Sequence, residues 1–297
     1  MEAARAGDGV EMSLMHDIRL NEIDACLRKL VPLVERVEGQ QWELVFTNSH
    51  AQYATARLDE DWLLLDAPLG ANAGGFAPGK LLAWNGRLSG NSKYALAPGG
   101  ATHLRAEIPL VEGVQLRNRV GGACLGFQEA LRLLEGEADA VAASDAAGSE
   151  TASDLISLMA DSGWPFTERS AGRLAVPLEA RQGFFQAMVE AGAGSAVRVS
   201  LDLVRWEEPS PQSRQALSVL LLTACGALRL ARAVAEEADS RTSAWFEVRF
   251  SEAPEVAELA CALAALSVAS RLCGREAAQL EDDRIAKHYL ALRGLDN

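Results

Sequence analysis

The chain has 297 residues, 49% of them apolar, and carries a formal charge of −13 with an isoelectric point near 4.9. Such a length can bury a sizeable core and fits two domains. The acidity, with no Lys/Arg cluster able to track phosphates, disfavours a general nucleic-acid binder or an anionic-membrane binder and favours basic partners.

In chain order, residues 1–16 are rich in Ala, Gly and charge and read as a disordered tail. Residues 17–38 place Ile18, Ile23, Cys26, Leu27, Leu30, Leu33, Val34 and Val37 at spacings of three and four, which predicts a helix with one apolar stripe. Pro32 marks a kink or an early stop in it. Three strands are expected next, at Trp42 to Thr47, Ala51 to Leu58 and Trp62 to Asp66, separated by polar turns. A Gly-rich connection, Gly74 to Lys80, leads into a short helix reading Leu81-Leu82-Ala83-Trp84-Asn85. A strand at Ser92 to Leu96, a Pro-Gly-Gly turn, a strand at Thr102 to Leu110 and a helix from Gly113 to Leu134 complete the first half.

Residues 136–151 are small, polar and acidic, the composition of a linker between module 1 (17–135) and module 2 (152–297). The second half repeats the order with drift. A helix at Ala152 to Asp161 is followed by strands at Trp164 to Glu168, Arg173 to Leu178 and Val197 to Val204; Phe184 to Val189 fits strand or helix. Ser210 as cap and Pro211 at the first helical position predict a long helix to about Glu237. Alternation over Ser243 to Phe250 predicts a half-buried strand, and Pro254 to Leu272 a helix continuing past Gly274 into a terminal helix. The expected class is α+β: two related modules, each a twisted antiparallel sheet flanked by helices.

This element order, with Leu-Leu-x-x-Asn opening the short helix, resembles the type III secretion chaperone-like (CesT/YbjN-like) family. The resemblance covers roughly residues 17–135 and 152–292 and is one of pattern and topology. It implies an α-β-β-β-α-β-β-α module, pseudo-twofold pairing of two modules through the helix–strand region after the third strand, and binding of a partner polypeptide along apolar grooves and strand edges. A covalent tandem would then build in one chain what single-module members build from two. The chain departs from the standard member in its doubled length, its unequal halves and the larger helical content from Pro211 to Leu292.

On that resemblance the candidate partner-binding residues are Trp42, Phe46, Tyr53, Trp62, Trp84, Trp206 and Trp245, with Trp164 and Phe166 beside them. Trp245 shares its strand face with Glu247 and Arg249, which suggests a contact surface. Candidate inter-module residues are Leu81, Leu82 and Trp84 in the short helix and Leu217, Leu220, Leu221 and Leu228 in its counterpart. Ordinary core packing is the competing reading for each.

No catalytic constellation emerges. The cysteines Cys26, Cys124, Cys225, Cys261 and Cys273 lack metal spacing and read as reduced core residues of a cytoplasmic protein; the four histidines are scattered, and no G-x-S-x-G occurs. Neither a signal peptide nor a membrane span is expected. Gly74 to Lys80 fits G-x-x-x-x-G-K, but Leu81 stands where a hydroxyl should hold magnesium and Pro78 removes an N–H donor. No cofactor or metal is expected. The reading is a non-enzymatic binder of a protein segment, either a monomer with an internal pseudo-dimer or a homodimer. Small-molecule or nucleotide binding at the Gly74 to Lys80 loop, and an architectural role in a larger assembly, stand as alternatives.

Overall fold

The computed structural model describes residues 18–37, 39–47, 51–70, 76–136, 150–180 and 183–295. The expected tail and nearly all of the expected linker lie outside them. A first helix, α1, covers residues 18–30. It presents Ile23, Cys26 and Leu27 inward. It ends ahead of Pro32, and Leu33–Arg36 forms a strand, β1. Of the two readings of Pro32 the early stop holds, and the expected helix is corrected only beyond it: proline cannot continue the hydrogen-bond ladder, and Leu33–Arg36 joins the sheet instead.

Strands β2 (Gln41–Thr47), β3 (Ala51–Asp59) and β4 (Trp62–Pro68) continue the meander. Helix α2 (Pro78–Asn85), the hairpin β5 (Lys93–Leu96) and β6 (Thr102–Pro109), and helix α3 (Leu116–Leu134) follow. The second module runs through α4 (Glu150–Asp161), β7 (Thr167–Ser170), β8 (Arg173–Ala180), β9 (Gly183–Ala191), β10 (Val197–Glu207), α5 (Pro211–Ala227), β11 (Arg232–Ala238), β12 (Arg241–Phe250), α6 (Val256–Gln279) and α7 (Asp283–Leu292). Each module is thus a helix, a four-strand meander, a helix, a hairpin and a closing helix, to which the second module adds α7; the first has one strand more before its central helix than expected. The sheets have the same order, β1-β2-β3-β4-β6-β5 and β7-β8-β9-β10-β12-β11, antiparallel throughout.

The second correction concerns the helix from Pro211. Ser210 caps it through Ser213 N as expected, but it stops at Ala227, and Arg232–Ala238 is a strand paired with β12. The turn that makes this hairpin is Asp239-Ser240, with φ of +49° and +66°, a two-residue type I′ geometry without the glycine that usually announces it. The region Phe184 to Val189, left open by periodicity, is strand β9. Helix α6 runs unbroken through Gly274, where the Phe185 ring lies so close that a Cβ would collide with it.

One face of each sheet packs on its own module's helices. In the first, Trp42 Nε1 donates to Asp24 of α1, Phe46 meets Phe127 of α3, and Tyr94 Oη donates to Ala130 O. In the second, α6 lies across β8, β9, β10 and β12. It is the one helix among the described residues long and apolar enough to cross a membrane, and here it serves as a core helix.

The opposite faces are where the modules meet. Helix α5 packs on β5 while α2 packs on β11, and the two helices touch each other. This exchange is reciprocal, as a twofold relation requires. Gly86, following α2, lies 2.9 Å (as a built Cβ) from Val234 of β11; Gly226, near the end of α5, lies against the main-chain oxygen of Leu96 of β5. We expect Gly226→Ala to lower stability by about 1–3 kcal/mol, because the new methyl meets backbone. Gly86→Ala should cost less, because Val234 can rotate away; urea denaturation distinguishes the two.

The reciprocal packing of α2 on β11 and α5 on β5 should also hold the halves together without the chain between them. A protease site inserted within 137–149 and cut should leave two fragments that co-elute at the mass of the intact chain.

Candidate partner-binding surface

Four cationic side chains lock the centre of the interface, and they come in two matched pairs. Lys93, the first residue of β5, is fully buried; its Nζ pairs with Glu107 at 2.9 Å and donates to Leu228 O and Ala231 O, in the connection after α5. Arg232, the first residue of β11, is also fully buried; it pairs with Glu247 and donates from Nη1 to Leu88 O and Ser92 O, in the connection after α2. Arg105 donates to Gly226 O, and Arg249 donates to Gly86 O. Each module's cations thus cap the carbonyls left over after the other module's helix, which would otherwise be buried without partners.

Glu247 is the more crowded centre. Arg198 and Arg232 hydrogen-bond to its carboxylate, Arg249 contributes Nη2, and Trp245 Nε1 donates to Oε2 at 3.0 Å. Burial pushes this carboxyl up, yet Arg232, Arg249 and Arg198 together outweigh it and hold it below its ordinary value of 4.5. Burial draws Arg232 down to about 10.

Asn85 completes the seam. Its Oδ1 accepts the amide of Tyr94, and its Nδ2 donates across the boundary to Ala233 O. In the matched place at the end of α5, Cys225 Sγ accepts the Ala233 amide. The inner sheet edges are therefore closed. Arg229 adds an outer clasp, 2.6 Å from Asp59 and above the Trp62 ring. Arg119 of α3 reaches buried Glu258 of α6 at 2.7 Å.

The expected inter-module residues Leu81, Leu82 and Trp84 lie on α2, Leu217, Leu220 and Leu221 on α5, and Leu228 just beyond it; all are buried. The expected partner-binding set divides. Trp42, Phe46, Trp84 and Trp206 are at most 6% exposed, so these four are corrected from surface candidates to core. Large aromatic side chains contribute the most apolar area, and the core takes them first. Trp62 lies half-buried beneath Arg229, and Trp245 is half-buried beneath Arg198 and bonded to Glu247, so both serve the interface. Trp164 and Phe166 pack against the core. Tyr53 alone of the set is open, at 69% exposure.

Tyr53 has companions that sequence reasoning missed. In the register of the first sheet Leu33 of β1 is opposite Val45 of β2, and Val45 is opposite Tyr53 of β3. The three share the outer face; Leu33 is 60% exposed and Val45 half-buried. Two residues further along, Glu35 lies opposite Glu43, both exposed, and neither carboxylate meets a cation among the described residues. The connection after α5 meets this sheet at Lys93, Arg105 and Glu107 and, through Arg229, at Asp59 and Trp62, while Leu33 and Tyr53 stay exposed. The free edge of β1 is partly guarded, since Arg28 Nη1 donates to Val34 O. The side-chain rows, more than the strand edge, are what solvent reaches.

Gly74 and Gly75 lie outside the described residues, and the Lys80 ammonium sits 4.9 Å and 4.8 Å from the ring centres of Phe76 and Trp84. A cation on two aromatic faces is occupied. Among the histidines, His103 is paired: its Nδ1 is 2.9 Å from Asp66, which also pairs with Arg105. No group of three or more potential metal-ligating side chains occurs among the described residues. All five cysteines are free thiols, and burial pushes Cys124 and Cys273 up to about 12. No family model matches the chain, and no curated protein matches it.

Glu247→Gln should destabilise the protein by about 3–5 kcal/mol, because it leaves buried guanidinium charge without its counter-charge. The depressed carboxyl contributes stability that is full above 4.5 and is lost as pH falls through its lower folded value. Urea titrations at pH 7 and in that acid window should therefore show the gap between wild type and Glu247→Gln closing as pH drops.

Proposed function

We propose that this protein is a non-catalytic binding protein of the type III secretion chaperone-like kind, holding a segment of a partner polypeptide on the open outer face of its first sheet. One observation carries the reading: two modules of the same topology pack a helix on each other's hairpin, and beyond that contact the first module's outer face presents Leu33, half-buried Val45 and Tyr53 in one row. An apolar row left on a surface after an interface has formed is a contact surface in waiting. The covalent pairing supplies rigidity, so the row is held in place rather than assembled on binding. The free thiols suit a reducing compartment, and we assign the protein to the cytoplasm. The oligomeric state in this reading is a monomer whose own halves form the pseudo-dimer.

The test is site-specific photo-crosslinking in the cells that make the protein. A benzophenone amino acid at position 53 should give one or a few defined adducts. The same probe at Gln186, on the outer face of the second sheet, should give none. Equal adducts from both positions, or none from position 53, would refute the reading.

A further inference from the structure

The two open half-faces occupy matched positions, yet their electrostatics differ. In the second module the row matched by register, from Arg232 through Glu247, Ser200 and Met188, ends on uncharged Ala175 and Thr167, and the next row, Arg173, Glu190 and Arg198, alternates in sign, with Arg173 Nε 2.7 Å from Glu190 and Arg198 Nη1 3.9 Å from it. That surface is neutralised from within. In the first module the corresponding region puts Glu35 directly opposite Glu43 with no cation supplied by the described chain. Like charges directly opposite in an antiparallel pair oppose folding. At the covered end of the same row, Asp66, Arg105 and Lys93 continue in register and are balanced. The imbalance is confined to the end that faces solvent, beside the apolar row.

We infer that the partner segment carries Lys or Arg two residues away from an apolar residue, the apolar side chain over Leu33, Val45 and Tyr53 and the cation between Glu35 and Glu43. This inference rests on the proposed function and adds the chemistry of the partner. Side chains two residues apart on a strand share a face and stand about 7 Å apart, which is also the separation of the two rows. An extended segment lying along the strands therefore meets both rows with alternate residues and leaves the others to solvent. A cation there meets two carboxylates that nothing in the described chain competes for, and the acidity of the whole molecule speeds the encounter.

The experiment uses the full chain and two labelled heptapeptides, one alternating Thr with Lys, Leu and Lys, the other with norleucine replacing each Lys, read by fluorescence anisotropy. Three proteins are compared: wild type, Tyr53→Ser, and Glu35→Gln with Glu43→Gln. The lysine peptide is expected to bind wild type, to lose at least tenfold in affinity to the double Gln variant, and to weaken with salt. The norleucine peptide should bind both of these equally, and Tyr53→Ser should weaken both peptides. The free double Gln variant should also unfold at higher urea than wild type, a gain that a merely structural role for the glutamates would not give.

An unchanged affinity of the lysine peptide for the double Gln variant, with Tyr53→Ser still impaired, overturns the inference and leaves the proposed function standing. Equal loss of both peptides in the double Gln variant also overturns it. Failure of both peptides to bind wild type, together with a reversible dimer abolished by Tyr53→Ser, replaces the partner by a second copy and overturns both.

Discussion

The whole arrangement depends on two buried cations that each solve a problem in the other module. A helix that stops inside an interface leaves carbonyls without donors. The connections after α2 and α5 both stop there, and Arg232 and Lys93 reach across to fill them. Burying a lysine and an arginine is costly unless each has a counter-charge, and Glu107 and Glu247 come from the cations' own sheets. Neither module could satisfy its own set alone: the carbonyls lie on one side of the boundary and the charges on the other. The fold is therefore a pair by necessity, and the covalent link between the halves keeps the pair together at any concentration.

Close approach is the second condition. Charge contacts of 2.7–3.0 Å across the boundary need the helix ends to lie almost on the opposing edge strands. Gly86 and Gly226 allow it. The consequence reaches the outer faces. Because α2 and α5 make their main sheet contacts with the hairpins, the outer faces of β1 to β3 and β7 to β9 lie outside those contacts, and their side chains differ in the two modules. The second uses the space for a self-neutralised ladder. The first exposes an apolar row and two acids that meet no cation among the described residues, and that asymmetry between otherwise matched halves is the basis for assigning it a partner.

Much of the architecture was legible from residue pattern. The stripe of Ile23, Cys26 and Leu27, the alternation from Trp42 to Phe46, and the Ser210-Pro211 start of α5 each report a local preference that the fold leaves intact. The two corrected segments failed for local reasons as well. Residues 228–238, Leu-Arg-Leu-Ala-Arg-Ala-Val-Ala-Glu-Glu-Ala, read as helix because their spacing permits it and no glycine marks the turn that follows. A signal for β1 was present, since Pro32-Leu33-Val34-Glu35-Arg36 is echoed by Pro165-Phe166-Thr167-Glu168-Arg169. Comparing the halves directly, instead of counting periodicity, finds it.

The sequence by itself determined the class, the doubled plan and the acidity, because hydrophobic period, capping residues and charge are properties of short stretches. Tertiary structure decided which aromatic residues are available. Trp42 and Tyr53 look alike in a list of large side chains, but strand register sends one to the core and the other to solvent. It also decided that Lys93 and Arg232, unremarkable cations in the chain, hold the molecule together, and that Leu33, Val45 and Tyr53 form one row. Register and the pairing of distant segments are set by how whole elements pack, and no window of neighbouring residues contains that information.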